Sequence, residues 1–102
     1  ISISGNKRFT LDVGSKAIAT DPAGQKGLIV EFPDAVPISQ SEEHWVFESD
    51  SDPKLRSGDT VTIIPTHICP TVNLYEEALL IGDGGKVIDR WPIVARSRRL
   101  TI

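Results

Sequence analysis

Short stretches in which apolar and polar residues alternate, with no sustained helical repeat, most limit what this chain can fold into. Such a period of two is typical of a β-strand that buries one face. Apolar and polar residues alternate in this way at residues 8–13 and 28–32, and further strand candidates bounded by Gly, Pro, Asp or Ser lie at residues 45–48, 60–65, 77–81 and 86–94. They predict a mostly β fold, either a small β-barrel or a sandwich, of about six to eight short strands with little helix.

Turn-forming residues separate the predicted strands. Residues 82–85 (Gly-Asp-Gly-Gly) tolerate positive φ angles, which predicts a hairpin between the last two strands. Residues 57–59 (Ser-Gly-Asp) predict another turn, and the polar stretch 50–58 is expected to be a surface loop. Helix is expected to be scarce, because only residues 12–21 and 70–77 have room for a turn or two.

The composition is that of an ordinary folded domain. The 102 residues are expected to form one domain with a modest core, and 39% hydrophobic and 25% charged residues predict neither disorder nor a membrane span. A net charge of -3 argues against a nucleic-acid-binding surface. A single cysteine excludes an intrachain disulfide, and no signal peptide opens the chain, so we expect a cytoplasmic protein.

Both ends of the chain have a distinctive composition. Four arginines gather near the C-terminus, and the simplest interpretation is a solvated edge strand whose charges discourage edge pairing. They are Arg90, Arg96, Arg98 and Arg99. At the other end the chain begins with Ile1, and it contains no methionine, which suggests a piece of a longer polypeptide. A processed terminus would look the same.

The densest chemical feature is the stretch 65–73, in which prolines stand on both sides of His67 and Cys69. If this segment is extended, residues two apart point to the same face and present an imidazole and a thiol side by side. Zinc accepts both ligand types. Two protein ligands would leave open positions on the metal, as catalysis by a Lewis-acid metal requires.

Two other interpretations of this pair stay open. Cys69 could be a small buried hydrophobic residue, with His67 a hydrogen-bonded histidine at the end of a strand. Cys69 could instead be a nucleophile paired with His67 or His44. The sequence offers no recognisable orienting group or oxyanion hole for that chemistry.

Two further polar segments contain candidate site residues. Ser41, Glu42, Glu43 and His44 precede an apolar strand. Adjacent carboxylates on a strand point to opposite faces, so one glutamate could orient a histidine or bind a polar ligand group. The alternative is a polar loop that enters a strand. Lys16 follows a glycine that should end the first strand, and a salt-bridged or solvated lysine is favoured over a Schiff-base lysine.

Five segments, taken in order, resemble a known family. They are Leu11-Asp12-Val13-Gly14-Ser15-Lys16-Ala17, Ser41-Glu42-Glu43-His44, Ser57-Gly58-Asp59, Pro65-Thr66-His67-Ile68-Cys69-Pro70-Thr71-Val72-Asn73 and Lys86-Val87-Ile88-Asp89-Arg90-Trp91-Pro92. The ordered set resembles the C-terminal domain of the D-serine dehydratase and D-threonine aldolase family. The resemblance extends over nearly the whole chain.

The resemblance implies a pyridoxal-phosphate enzyme of fold type III, in which an N-terminal α/β barrel holds the cofactor and a β-domain completes the active site, usually within a dimer. Residues 1–102 would be that C-terminal domain. His67 and Cys69 would bind zinc, manganese or another divalent metal. Other matched polar residues would line the active site or have a structural role: Lys16, Ser41, Glu43, His44 and Asn73.

The implied substrate is a D-β-hydroxy amino acid. The metal would hold its β-hydroxyl group while pyridoxal phosphate acts as the electron sink for the α-carbon. Dehydration and aldol cleavage both fit this chemistry, and a related amino acid racemase is the alternative. Cys69 favours the zinc-dependent type, because aldolases of the family often have Asp at that position. Without the barrel and its cofactor lysine, these 102 residues alone are expected to be inactive.

Trp45 departs from the family, which usually has glycine after the Ser-Glu-Glu-His stretch, so the backbone and the substrate pocket are expected to differ there. A competing interpretation is a non-catalytic β-barrel module that binds a ligand or protein through loops such as 50–58. The two interpretations predict different surfaces. An enzyme domain should expose an apolar face that the missing barrel covers, whereas a self-sufficient module should not.

Overall fold

The computed structural model describes residues 2–4 and 7–101. Within them the strands are β1 (Ser2–Ser4), β2 (Arg8–Leu11), β3 (Gly27–Ile29), β4 (Val36–Gln40), β5 (Trp45–Glu48), β6 (Ile63–Pro65), β7 (Glu77–Ile81) and β8 (Val87–Pro92). One short helix, α1, spans Ile68–Val72, and 3-10 turns lie at Asp83–Gly85 and Val94–Arg96. The prediction of a mostly β fold with little helix is confirmed.

The strands pair in three antiparallel sheets, which are not closed into a barrel. The largest has the strand order β1-β2-β5-β4. Two further sheets have two strands each, β3 with β6 and β7 with β8. The strands predicted at 45–48 and 77–81 have the predicted bounds in the structure. The observed strands β2, β3, β6 and β8 are shorter than the stretches predicted for them.

Strand β4 is absent from the strands that the sequence predicts. Its second residue is Pro37, which cannot donate a backbone hydrogen bond and is tolerated mainly on edge strands and at bulges. In the structure β4 is an edge strand, and its register against β5 shifts between Pro37 and Ser39. Since none of its residues is fully buried, β4 leaves no clean alternation in the sequence.

The core lies on one face of the central strands β2 and β5. Alternate residues point inward on each strand, and cross-strand partners meet there: Phe9 faces Phe47, and Leu11 faces Trp45. The Phe9 and Phe47 rings stack with centroids 5.7 Å apart, and the Trp45 ring lies 4.6 Å from Phe47. Other segments complete this core with Ile18, Ile29 and Ala35.

The hairpin of β7 and β8, predicted around residues 82–85, is confirmed, but it adds nothing to this core. Every residue of β8 is exposed, including Ile88 at 63% and Trp91 at 55%. The radius of gyration is 15.6 Å, whereas a compact chain of this length has about 13 Å. The hairpin therefore projects from the domain with apolar side chains in contact with solvent.

The arginine-rich end differs from the single edge strand that the sequence predicts. Arg90 lies on β8 and pairs with the side chain of Glu77 across the hairpin. Arg96 belongs to the 3-10 turn after β8, and Arg98 and Arg99 follow that turn. The strand ends at Pro92, whose missing N–H removes a ladder hydrogen bond, so the prediction is wrong for three of the four arginines.

The predicted loop at 50–58 is confirmed, since these residues form no strand or helix. Leu55 is partly buried and packs against the core, so the loop is anchored at one point. Residues 12–21 also lack a helix and form turns. No helix in the described part of the chain is long and apolar enough to cross a membrane.

Candidate functional site

His67 lies between strand β6 and helix α1. It is the residue before the helix and has an extended backbone, with φ of -123° and ψ of 98°. Its Nδ1 lies 2.6 Å from Oδ2 of Asp21, a residue far away in the sequence. The two side chains are 48% and 55% exposed, so the imidazole faces solvent while one of its nitrogens is held.

Cys69 lies in the first turn of α1 as an exposed free thiol. The geometric reason for pairing it with His67 is therefore wrong: β6 ends at Pro65 and the helix begins at Ile68, so the segment is not one extended strand. Pro70 is compatible with this placement, because proline is tolerated in the first turn of a helix. The interpretation of Cys69 as a buried hydrophobic residue is also wrong, whereas His67 is hydrogen-bonded as that interpretation expected.

Helix α1 and the turn after it are each bonded to residues 17–19 by one side chain that the sequence does not single out. The buried Thr71 hydroxyl accepts a hydrogen bond from the Ala19 backbone N–H at 3.0 Å and donates one to the His67 carbonyl at 2.8 Å. The Tyr75 hydroxyl donates to the Ala17 carbonyl at 2.7 Å. These bonds connect His67 to the segment that leads into Asp21.

Replacement of Thr71 by valine is expected to lower the free energy of unfolding by about 2 kcal/mol, because the buried Ala19 N–H loses its acceptor. Thr71→Ser keeps the hydroxyl and removes one methyl group, so a loss of about 1 kcal/mol is expected. Urea unfolding measures both, and amide exchange at Ala19 should accelerate only in the valine variant. Equal exchange rates in the two variants would contradict this role of the hydroxyl.

Lys16 and Ser41–His44 come together in a second cluster. The Lys16 Nζ lies 2.8 Å from Oε1 of Glu43 and 3.6 Å from Oε2 of Glu42. Both carboxylates reach one lysine because residues 41–44 form the turn between β4 and β5, so the expectation that they point to opposite faces of a strand is wrong. Ser41 closes this turn, since its backbone N–H donates to the His44 carbonyl at 2.8 Å.

The ion pair determines the state of Lys16. A hydrogen bond to Glu43 and the charge of that carboxylate raise the pKa of Lys16 above its ordinary value. An amine whose pKa is raised stays protonated at neutral pH and is a poor nucleophile. The interpretation of Lys16 as a salt-bridged lysine is therefore confirmed.

The remaining candidates occupy separate positions. His44 is the last residue of the turn at 41–44, and its Nε2 lies 3.5 Å from Oδ1 of Asp12. Asn73 directly follows α1 and is exposed. A cleft of about 780 Å³ opens at the base of the hairpin, and none of the predicted site residues lines it. Its lining residues are Glu76, Glu77, Pro92, Ile93, Val94, Arg96 and Ser97.

A divalent metal fits the donors at His67 and Cys69 in part. With Nδ1 engaged by Asp21, the Nε2 of His67 is the nitrogen that can face a metal, and the thiol of Cys69 is accessible. Imidazole and thiolate together suit zinc. No group of three or more His, Cys, Asp and Glu side chains within the described residues could hold a metal ion, so further ligands would have to come from elsewhere.

Comparison with known proteins identifies the family. The model of the putative serine dehydratase domain matches residues 1–81. The chain belongs to this family. Similar proteins include uncharacterized proteins of Mycobacterium tuberculosis and Mycobacterium bovis, which are 35% identical over 99 residues. The match covers 93% of this chain and 74% of each relative.

A solved structure of the D-threonine aldolase from Filomicrobium marinum is also similar. It matches this serine dehydratase-like domain with a TM-score of 0.79 and 26% identity over 94% of the chain. The chain spans only about a quarter (26%) of the aldolase chain. The comparisons thus support the resemblance that the ordered sequence motifs indicate.

Proposed function

We propose that this chain is the metal-binding β-domain of a metal-activated, pyridoxal-phosphate-dependent enzyme that acts on D-β-hydroxy amino acids, of the D-serine dehydratase or D-threonine aldolase type. The observation that carries the proposal is the likeness to the D-threonine aldolase over 94% of the chain. The accessible imidazole and thiol at His67 and Cys69 support it from the chemistry of the chain itself.

In this proposal His67, through Nε2, and Cys69, as thiolate, hold a zinc, manganese or other divalent ion. When bound, the metal supplies Lewis-acid stabilisation of negative charge on the substrate β-hydroxyl oxygen, and pyridoxal phosphate on the barrel domain supplies the electron sink. The chain's own residues orient the imidazole donor: Asp21 holds Nδ1 of His67, and Thr71 holds the His67 carbonyl. The full-length protein, which would include that barrel domain, is expected to work as a homodimer.

The exposed hairpin supports an enzyme domain over a self-sufficient module. Large apolar side chains on β7 and β8 are about half exposed or more: Leu79, Ile81, Val87, Ile88 and Trp91. The strand register places Leu79 and Ile81 on one face of the hairpin and Trp91, opposite Ala78, on the other face, so both faces expose apolar side chains. Exposed apolar surface in this amount on a small domain usually marks a contact with another domain or protein. A barrel domain of the same enzyme is the partner that this proposal requires.

The metal test uses the full-length protein and three single variants. Wild type is expected to retain close to one equivalent of zinc or manganese after dialysis, measured by elemental analysis, and to convert a D-β-hydroxy amino acid. His67→Ala and Cys69→Ala are expected to lose most of the metal and the activity together, because two protein ligands hold the ion. His44→Ala is the matched control, since His44 is also exposed but contacts Asp12, and it should keep its metal. Unchanged metal content in all three variants would refute the proposal.

A second candidate is a non-catalytic binding module, and the mycobacterial relatives favour it. The quarter of each relative that lies outside the match is too short for an α/β barrel of roughly 250 residues. Such proteins would carry the serine dehydratase-like domain without its catalytic partner on the same chain. Absorbance of bound pyridoxal phosphate in the purified full-length protein separates the candidates, and racemase activity on a D-amino acid would indicate the remaining alternative.

A further inference from the structure

We propose that Asp21 is a positioning residue that fixes the tautomer and the orientation of His67, so that Nε2 is the nitrogen presented to a metal. The inference deepens the proposed function and rests on it. Its starting observation is the 2.6 Å separation between Asp21 Oδ2 and His67 Nδ1, across 46 residues of sequence.

The chemistry of the pair determines the tautomer. An ionised carboxylate can only accept hydrogen bonds, so the imidazole must carry its proton on Nδ1 to bond with Asp21. The lone pair of neutral His67 then resides on Nε2, which is the arrangement of carboxylate–histidine–metal triads. A solvent-exposed histidine without such a partner would rotate and exchange between its two tautomers.

Lys26 bonds to the backbone beside Asp21 and to the backbone beside His67. Its Nζ donates to the carbonyls of Thr20 at 3.0 Å and Pro22 at 3.1 Å, the two residues that flank Asp21. Its own carbonyl accepts the N–H of Thr66, the residue before His67, at 2.9 Å. One residue therefore constrains the turn that carries Asp21 and the strand end that carries His67.

On the other side of His67, the helix fixes the carbonyl. Thr71 donates to that carbonyl at 2.8 Å and is itself bonded to Ala19, two residues before Asp21. The side chains of Asp21 and His67 are half exposed, yet their backbones are tied together from both directions. This support distinguishes the pair from an ordinary surface ion pair, which is held only by its own charges.

The first test reads the tautomer in the metal-free, full-length protein by ¹⁵N NMR of the His67 ring. The expected result is the Nδ1–H tautomer in wild type and loss of that preference in Asp21→Asn and Asp21→Ala. Asp12→Asn is the matched control, because Asp12 contacts the other histidine, and it should leave the His67 ring signals unchanged. An Nε2–H tautomer in wild type would overturn the inference whether or not any variant folds.

The second test measures zinc affinity by competition with a chelator in the same proteins. Loss of a partner that orients a metal-binding histidine typically weakens metal binding about 10- to 100-fold, and this is expected for Asp21→Asn and Asp21→Ala but not for Asp12→Asn. Zinc binding that is lost in His67→Ala but unchanged in both Asp21 variants would overturn this inference alone. A wild-type protein that binds no zinc or manganese would overturn the proposed function as well.

Discussion

Gly14→Ala is expected to lower the free energy of unfolding by about 3 kcal/mol, at the upper end of what overpacking usually costs. A Cβ at position 14 would lie 2.2 Å from the backbone carbon and oxygen of Glu42 and 2.4 Å from the backbone nitrogen of Glu43. Backbone atoms cannot move aside as the end of a flexible side chain can, so the segment at residue 14 and the turn at residues 41–44 must separate. Thermal or urea unfolding measures the loss.

The separation of residue 14 from the turn at residues 41–44 can also be measured locally, by amide exchange. The N–H groups of Ser15 and Lys16 donate to the carbonyls of Ser41 at 3.0 Å and Glu42 at 3.2 Å, and both bonds need the close approach at Gly14. Amide exchange at these two residues should therefore accelerate in Gly14→Ala beyond the global change in stability. The Lys16 ion pair with Glu43 should weaken with them.

Gly24→Ala is the matched control for this substitution. Gly24 has a φ of +86° and no atom within 4 Å of an added Cβ, so alanine there costs only backbone conformation, about 1 kcal/mol. A loss in Gly14→Ala no larger than in Gly24→Ala would contradict the steric argument. It would mean that the turn at 41–44 shifts without cost.

The same glycine illustrates which features can be predicted from sequence. Strands β2, β5 and β7 were predictable from local residue patterns, because β2 alternates polar and apolar residues and β5 and β7 are short, mostly apolar runs between turn signals. The requirement for glycine at position 14 is set by Glu42, which is distant in sequence, so no local pattern contains it. The sequence indicates a turn there, but not the contact.

The candidate site also has features that the sequence predicts and features that only the folded chain shows. His67 and Cys69 were found from residue type and family resemblance, whereas the reason offered for their geometry, one extended segment, is wrong because α1 begins between them. The contact of Asp21 with His67 depends on how residues 14–26 fold over the strand end at Pro65. A lone aspartate before a proline carries no signal of such a contact, and the buried Thr71 carries none either.

Phe47→Ala is expected to lower the free energy of unfolding by about 4 kcal/mol, the usual cost of emptying a buried aromatic site. The Phe47 side chain is completely buried and contacts the rings of Phe9 and Trp45. A domain of this size has about 5–15 kcal/mol of stability, so this variant should remain mostly folded but unfold at a clearly lower urea concentration and temperature than wild type. Circular dichroism and urea unfolding measure the effect.

Trp91→Ala provides the contrast, because Trp91 is a larger aromatic residue on the projecting hairpin and is 55% exposed. If solvent covers the hairpin in the full-length protein, this substitution should cost less than about 1 kcal/mol, as for other surface positions. A cost that approaches that of Phe47→Ala would mean that another part of the protein buries the hairpin, as the enzyme-domain proposal requires. A small cost for Trp91→Ala in the full-length protein would instead favour the self-sufficient module, because the face of the hairpin that carries Trp91 and Leu80 would then have no partner within the protein.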